Sequence, residues 1–295
     1  MTRSDLETML PCRLRKRVAE CLCLSLPVVE EHWRANRIRV ITPESDYPQQ
    51  LELEALVFDD DQLLFDGARI AGMPARSYVL LNKPKGVTST THDPDGKTDL
   101  APYLRQMPAG CFPVGRLDRE TSGLLLCTND GNLAHAVLRP DHEATKTYWL
   151  WLDEVVDASD ARLGQLVQGV PHNGQLLTAK AARILASHEY ATELELTLTE
   201  GKKRQIRHMC RVLSLQLVHL HRSRIGPLSD TGLALGSFRS LTSEEVEGLW
   251  SATGGRAQLR RRRVAALARQ ARAARAAGTP LARLEAWLSA ESARG

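Results

Sequence analysis

The run Leu124-Leu125-Leu126-Cys127-Thr128 constrains the fold of this chain more than any other stretch. It shows no polar alternation and needs cover on both faces, which places it in an interior strand. Turn residues bound it: Thr121-Ser122-Gly123 before, Asn129-Asp130-Gly131 after. Upstream, Pro113 and Gly115 tighten the chain, and Arg116-Leu117-Asp118-Arg119 sets one carboxylate between two guanidinium groups. A charged tetrad beside a buried strand is costly unless its charges pair. An Asp among arginines stays ionised, because opposite charge lowers its pKa, and an ionised, anchored carboxylate on a loop is a candidate nucleophile. The same tetrad would equally serve to pin a loop, so the local string leaves both roles open.

The chain has 295 residues, enough for one large domain or for a small one plus a medium one. No stretch approaches the length of a membrane span, and no basic start leads into an apolar run and cleavage site. Cys12, Cys21, Cys23, Cys111, Cys127 and Cys210 are scattered, without the spacing of zinc or thioredoxin pairs. The expectation is a cytoplasmic protein with reduced thiols and no metal. The net charge of +4 hides a split: residues 256–295 hold ten Arg and two Glu, so the remainder is net negative. Residues 41–70 hold eight acids and one base, Arg69. An anionic partner should therefore meet local patches and the tail, not the whole surface.

The pattern divides the chain into residues 1–72, 76–252 and 256–295. In the first, Leu14, Val18 and Leu22 give a helical stripe. Ser25 and Pro27 open a second helix, and Arg34, Arg37 and Arg39 cluster at its end. After the small-residue linker 71–76, Tyr78–Leu81 reads as a buried strand and Asn82-Lys83-Pro84-Lys85-Gly86 as a loop presenting two lysines, suited to a phosphate backbone or to water. Residues 88–111 read as a polar loop with a short helix around Tyr103-Leu104. Helices are expected at Leu133–Leu138, within 157–167 and at Ser243–Trp250, and alternating strands at Thr145–Leu152 and Thr192–Thr199. Glu200-Gly201 turns into the basic helix start Lys202-Lys203-Arg204-Gln205-Ile206-Arg207. His219 and His221 have no acidic or cysteine partner at metal-site spacing. Beyond Gly254-Gly255 the Ala/Arg-rich tail is helix-prone but thin in apolar residues, and Gly278-Thr279-Pro280 restarts a short helix. It reads as an appended RNA-phosphate arm or as a solvated extension.

Four ordered motifs within residues 76–250 resemble the pseudouridine synthases, in the branch that modifies bacterial ribosomal RNA. These are NKPKG, GRLD with TSGLLL and TNDG, KTYW, and EGKKRQIRHM followed by VHLHR. The N-terminal segment is similar, more weakly, to the S4 RNA-binding module. The resemblance implies an α+β protein: a small S4-like domain, a catalytic domain with a mostly antiparallel mixed sheet, and a basic helical tail. It implies a cofactor-free isomerase that converts a flipped-out uridine to pseudouridine. Asp118 would be the catalytic carboxylate, attacking C1′ or C6 or triggering elimination. Tyr148 would stack on the base and Arg207 would pair with Asp118. Lys83, Lys85, Arg116, Lys202, Lys203 and Arg204 would hold phosphates. The partner is RNA, ribosomal or transfer, with no membrane, and the protein a monomer. The alternatives are a non-catalytic RNA-binding or ribosome-assembly factor, which the presence of Asp118 disfavours, and a glycosidase-like enzyme, which would need a second carboxylate.

Overall fold

A computed structural model of the chain describes residues 10–90, 96–139, 144–278 and 281–293. Part of the loop expected over 88–111, and the helix restart expected at Thr279-Pro280, lie outside the described residues. Two compact units are present: Arg76–Gly255, and Met1–Ala75 together with Arg256–Gly295.

The unit Arg76–Gly255 is built on a nine-stranded sheet. Its main path runs Ala181–Ser187, Thr192–Leu198, Lys146–Leu152, Leu217–Ile225, Ser122–Thr128, Tyr78–Lys83 and Phe238–Ser240. Phe112–Pro113 and Leu228–Ser229 pair off that path. Every pairing is antiparallel except one. Leu217–Ile225 lies parallel to Ser122–Thr128, with His221 opposite Ser122 and Arg222 opposite Gly123. The architecture is the α+β, mostly antiparallel mixed sheet that the motifs imply. Ser122–Thr128 is buried along its whole length, as its unbroken apolar run requires. Leu125 and Cys127 pack with Val79, Leu81, Leu100 and Met107. Burying each such leucine contributes about 1.5–3 kcal/mol. Asp130, expected as a turn residue, also caps helix Gly131–Leu138, its Oδ1 accepting from Asn132 N at 3.0 Å.

The parallel junction depends on Gly123. Its φ is +111°, and a Cβ there would lie 2.3 Å from Arg222 O and 2.4 Å from Arg222 N. The register across this junction forms one row: Leu196, Tyr148, Arg222, Gly123, Lys83. Residues of one row on adjacent strands sit about 4.8 Å apart, so this row brings distant motifs together.

In the other unit, helices Leu14–Leu22 and Leu26–Arg34 pack on a three-stranded sheet of Ile38–Ile41, Gln62–Phe65 and Ala68–Arg69. Leu14, Val18, Val29, Ile38 and Val40 form the core. Arg34 pairs with Glu30 and Arg37 with Asp66, so two of the clustered arginines are satisfied locally. The tail forms helices Gly255–Ala276 and Ala282–Ser292. Leu267, Ala271 and Leu284 are buried together, with Leu56, Phe58 and Trp287 packed against them. This differs from an arm standing alone in solvent. The tail's thin apolar stripe, too narrow to hold a helix by itself, finds cover on the N-terminal segment.

Candidate active site

The loop carrying Asp118 is braced from below by the NKPKG segment. Ser89 Oγ donates to Leu117 O at 2.8 Å and accepts from Leu117 N at 3.0 Å. Gly86 N donates to Arg119 O at 2.8 Å. Thr121 N closes the turn on Asp118 O at 3.0 Å. Leu117 is buried and anchors the loop, while the Asp118 side chain stays 30% exposed. The loop thus holds a carboxylate at the edge of a cavity without sealing it from a ligand.

The neighbouring arginines do not pair with Asp118. Arg119 turns to Glu120 at 3.2 Å, and the ion pair of Asp118 is with Arg207, Nε to Oδ2 at 3.9 Å. The expected pairing of these two residues is present, but as a charge contact and not a two-pronged hydrogen bond. The rest of the guanidinium holds the loop: Arg207 Nη2 donates to Glu120 O at 2.8 Å and to Thr121 Oγ1 at 3.2 Å. Arg207 Nε is buried with no hydrogen-bond partner among the described residues. Burial and the nearby Arg204 lower the Arg207 pKa, while Asp118 and Glu120 oppose that shift. Arg207 is aimed here because Gln205 and Ile206 are buried at the start of helix Gln205–Val212. Gln205 ties the preceding loop, its Oε1 accepting from Lys202 N at 3.0 Å and its Nε2 donating to Thr178 O at 3.2 Å.

Asp118, Tyr148 and Arg207 line one cavity of about 350 Å³. Arg116, Lys202, Lys203 and Arg204 line it too, as the resemblance implies for residues that meet phosphate. Tyr148 packs partly on the apolar cluster of Leu150, Leu196 and Leu220, which leaves its ring both supported and facing the cavity. Lys83 and Lys85 behave differently. Lys83 is 0% exposed, and its ammonium donates to Pro84 O at 2.9 Å and Val87 O at 2.8 Å. It cannot reach a phosphate, so the expected contact is withdrawn. Strand Tyr78–Lys83 runs two residues past the apolar pattern and carries Lys83 inward, where burial and Arg222 push its pKa down to about 8. Lys85 is exposed outside the cavity lining and pairs with Glu120 at 3.6 Å. NKPKG is therefore a brace for the Asp118 loop.

Two cavity residues were not singled out by sequence. Lys146 precedes Tyr148 by two residues on the same strand face. Its Nζ donates to Val137 O at 3.0 Å, and burial together with Arg222 pushes its pKa down to about 8. Arg222 is 5% exposed; its Nε donates to Leu124 O at 2.7 Å and its Nη2 has no hydrogen-bond partner among the described residues. A buried guanidinium with an unused donor on a cavity wall is equipped to meet a polar ligand atom. The alternation of KTYW carried the signal for Lys146; Arg222 closes the VHLHR motif, and strand register shows what it faces.

The two histidines take structural positions. His221 Nδ1 lies 2.8 Å from Ser122 Oγ, and His221 Nε2 lies 2.8 Å from Asp230 Oδ2. This has the residue types of a hydrolase triad, but Ser122 is 1% exposed and outside the cavity lining. The network fixes the parallel junction behind Asp118. Among the described residues no cluster of three or more His, Cys, Asp or Glu is arranged to hold a metal. The six cysteines are free thiols, and burial raises Cys127 and Cys210 to about 12, which leaves them unreactive. No helix among the described residues is long and apolar enough to cross a membrane.

Comparison with known proteins agrees with this geometry. The family model described as RNA pseudouridylate synthase matches residues 77–211. Ribosomal small subunit pseudouridine synthase A of Escherichia coli (strain K12) is 34% identical over 238 residues, covering 79% of this chain and 98% of that protein. Ribosomal large subunit pseudouridine synthase B of Bacillus subtilis (strain 168) is 31% identical over 239 residues, covering 80% and 95%. A solved structure described as a pseudouridylate synthase aligns with a TM-score of 0.55 at 27% identity, covering 81% of this chain and 99% of that one. Because those relatives share about a third of their residues with it over nearly their whole lengths, the chain belongs to the RNA pseudouridylate synthase family.

Proposed function

We propose that this protein isomerises a uridine of ribosomal RNA to pseudouridine, with the small-subunit RNA as the first substrate to test. The carrying observation is the charge of the cavity: among the described residues, seven cationic side chains and a single carboxylate, Asp118, line it. Such a lining attracts phosphate and leaves one group able to attack or to trigger elimination. A glycosidase-like reaction would need a second carboxylate across the cavity, and the described residues of the lining supply none.

The target base must leave its stack to enter. Tyr148 offers it an aromatic face, and stacking of this kind contributes about 1–3 kcal/mol. Asp118 acts on the nucleoside, the N1–C1′ bond breaks, and the uracil turns while still held. A C5–C1′ bond then forms, with the proton lost at C5 balanced by one gained at N1. Nothing is oxidised or reduced, so the reaction needs no cofactor. Arg207 faces the Asp118 carboxylate at 3.9 Å and braces its loop, and the unused Arg222 Nη2 is positioned to donate to a base carbonyl or phosphate oxygen. Arg116, Lys202, Lys203 and Arg204 hold the flanking backbone.

Mapping of pseudouridines in total RNA from cells with and without the gene tests this reading. A uridine left unmodified in small-subunit ribosomal RNA upholds it. A loss confined to large-subunit RNA would move the substrate, a loss confined to transfer RNA would select the transfer-RNA alternative, and no loss would overturn the reading. The cavity also sets a pH dependence. Lys146, with its pKa pushed down to about 8, is an ammonium below that pH and neutral above it. The rate on RNA should therefore fall as pH rises through about 8. In Lys146→Arg, whose guanidinium stays charged, the fall should move to higher pH. An unmoved profile would remove Lys146 from RNA binding.

A further inference from the structure

Helix Gly255–Ala276 presents a face for which the described structure supplies no partner. The helix contains no acidic and no aromatic residue. Leu259, Leu267 and Ala271 are its buried side. Arg261, Arg269 and Arg272 are exposed and make no ion pair among the described residues. At 3.6 residues per turn these three fall within an arc of about 80° opposite the buried side, over a length of about 17 Å. The two glutamates of the tail do not dilute this face, because Glu291 is bound to Arg260 and Glu285 to Arg275.

The tail is held by one side chain in particular. Arg283 reaches Glu44 at 3.1 Å, Asp60 at 2.8 Å and Asp61 at 2.8 Å, and its guanidinium lies 4.3 Å over the Phe58 ring. Within the acidic run 41–70, Glu54 is also paired with Arg13 and Arg15, Asp59 with Arg17 and Asp66 with Arg37. Six of the run's eight carboxylates thus have an arginine partner, three of them the same residue of the tail, Arg283.

We propose that helix Gly255–Ala276 is the phosphate-binding surface of the unit to which the N-terminal segment belongs, and that Arg283 is the clamp that seats it there. The occupant is the backbone of structured RNA. Arginine forks match phosphate oxygens. A face without aromatic rings offers no platform for unstacked bases, so it reads backbone and not sequence. The proposal rests on RNA being the substrate and extends that reading to a second contact, made by residues that do not line the catalytic cavity.

The test uses the full chain carrying Asp118→Asn, so that binding is measured without turnover. The probe is a labelled RNA stem-loop of arbitrary sequence, titrated from low to high salt. Replacing Arg261, Arg269 and Arg272 together with Gln should reduce the slope of log affinity against log salt by about 2–3, at about 0.7–0.9 per lost phosphate contact. Helix content and melting temperature should stay unchanged. Arg283→Ala should reduce the slope as well, with faster amide exchange across residues 255–276. An unchanged slope in the triple variant overturns the proposal. So does a triple variant that loses binding to phosphatidylglycerol vesicles while its RNA slope is intact, an outcome that would assign the face to a membrane. If Asp118 proved dispensable for isomerisation, a reduced slope would still uphold the surface; an Asp118-dependent enzyme with an unaltered slope would sink the surface alone.

Discussion

Asp118→Asn is expected to lower the single-turnover rate of uridine isomerisation by at least about 10⁴-fold, the scale on which loss of an attacking group registers. That factor corresponds to about 5.5 kcal/mol of transition-state stabilisation. The substitution conserves shape, and among the described residues Asp118 makes no side-chain hydrogen bond that holds the loop. Leu117, Thr121 and the Arg207 Nη2 contacts do that work. RNA affinity should therefore stay within a few fold, and removal of a negative charge from a cationic cavity should shift it, if at all, toward tighter binding. Quench-flow measurement of product at saturating enzyme separates the two effects. A variant that still formed pseudouridine at more than a hundredth of the parent rate would remove Asp118 from the chemistry.

Gly123→Ala carries the largest expected effect on stability. The added methyl group meets backbone atoms of Arg222 at 2.3 and 2.4 Å, and backbone cannot swing aside as a long side chain can. A positive φ of 111° adds conformational strain that any side chain would bear. Overpacking and strain together should cost about 3–5 kcal/mol. For a unit of this size that corresponds to a fall of roughly 10 °C or more in melting temperature. The same substitution pushes Arg222 away from the Asp118 loop, so activity should be lost even at temperatures where the protein remains folded. Calorimetry of the purified variant checks this, and a melting temperature within 2–3 °C of the parent would show that the two strands separate easily.

The parts of this molecule that were legible in the sequence are those whose neighbours in sequence report their surroundings. Leu124–Thr128 could only be an interior strand, and Asp118, Tyr148 and Arg207 each sat in a motif whose spacing placed it on a loop, a strand and a helix start. Lys83 misled because a lysine between Asn82 and Pro84, past the end of the apolar run, looks like a loop residue. Its burial depends on a strand continuing two positions further, and on two carbonyls that only the folded loop brings to its ammonium. Arg222 was hidden for a related reason, since strand register decides what an arginine on a strand faces. Strand Ala181–Ser187 has no fully buried residue, so its sequence lacks the contrast that marks an amphipathic strand. The acidic run and the arginine-rich tail were both plain in the composition. Their mutual attraction was not, because complementarity between segments some two hundred residues apart leaves no local pattern.

The pairing of Arg283 with Glu44, Asp60 and Asp61 has a consequence for synthesis. Polypeptides leave the ribosome at about 5–20 residues per second, so residues 76–295 take roughly 10–45 s to follow the N-terminal segment out. Through most of that interval Asp60, Asp61, Leu56 and Phe58 wait without their partners, and the unit Arg76–Gly255 is complete some 40 residues before the chain ends. Translation order therefore favours a nascent chain that completes its nine-stranded sheet before the tail closes on Glu44, Asp60 and Asp61.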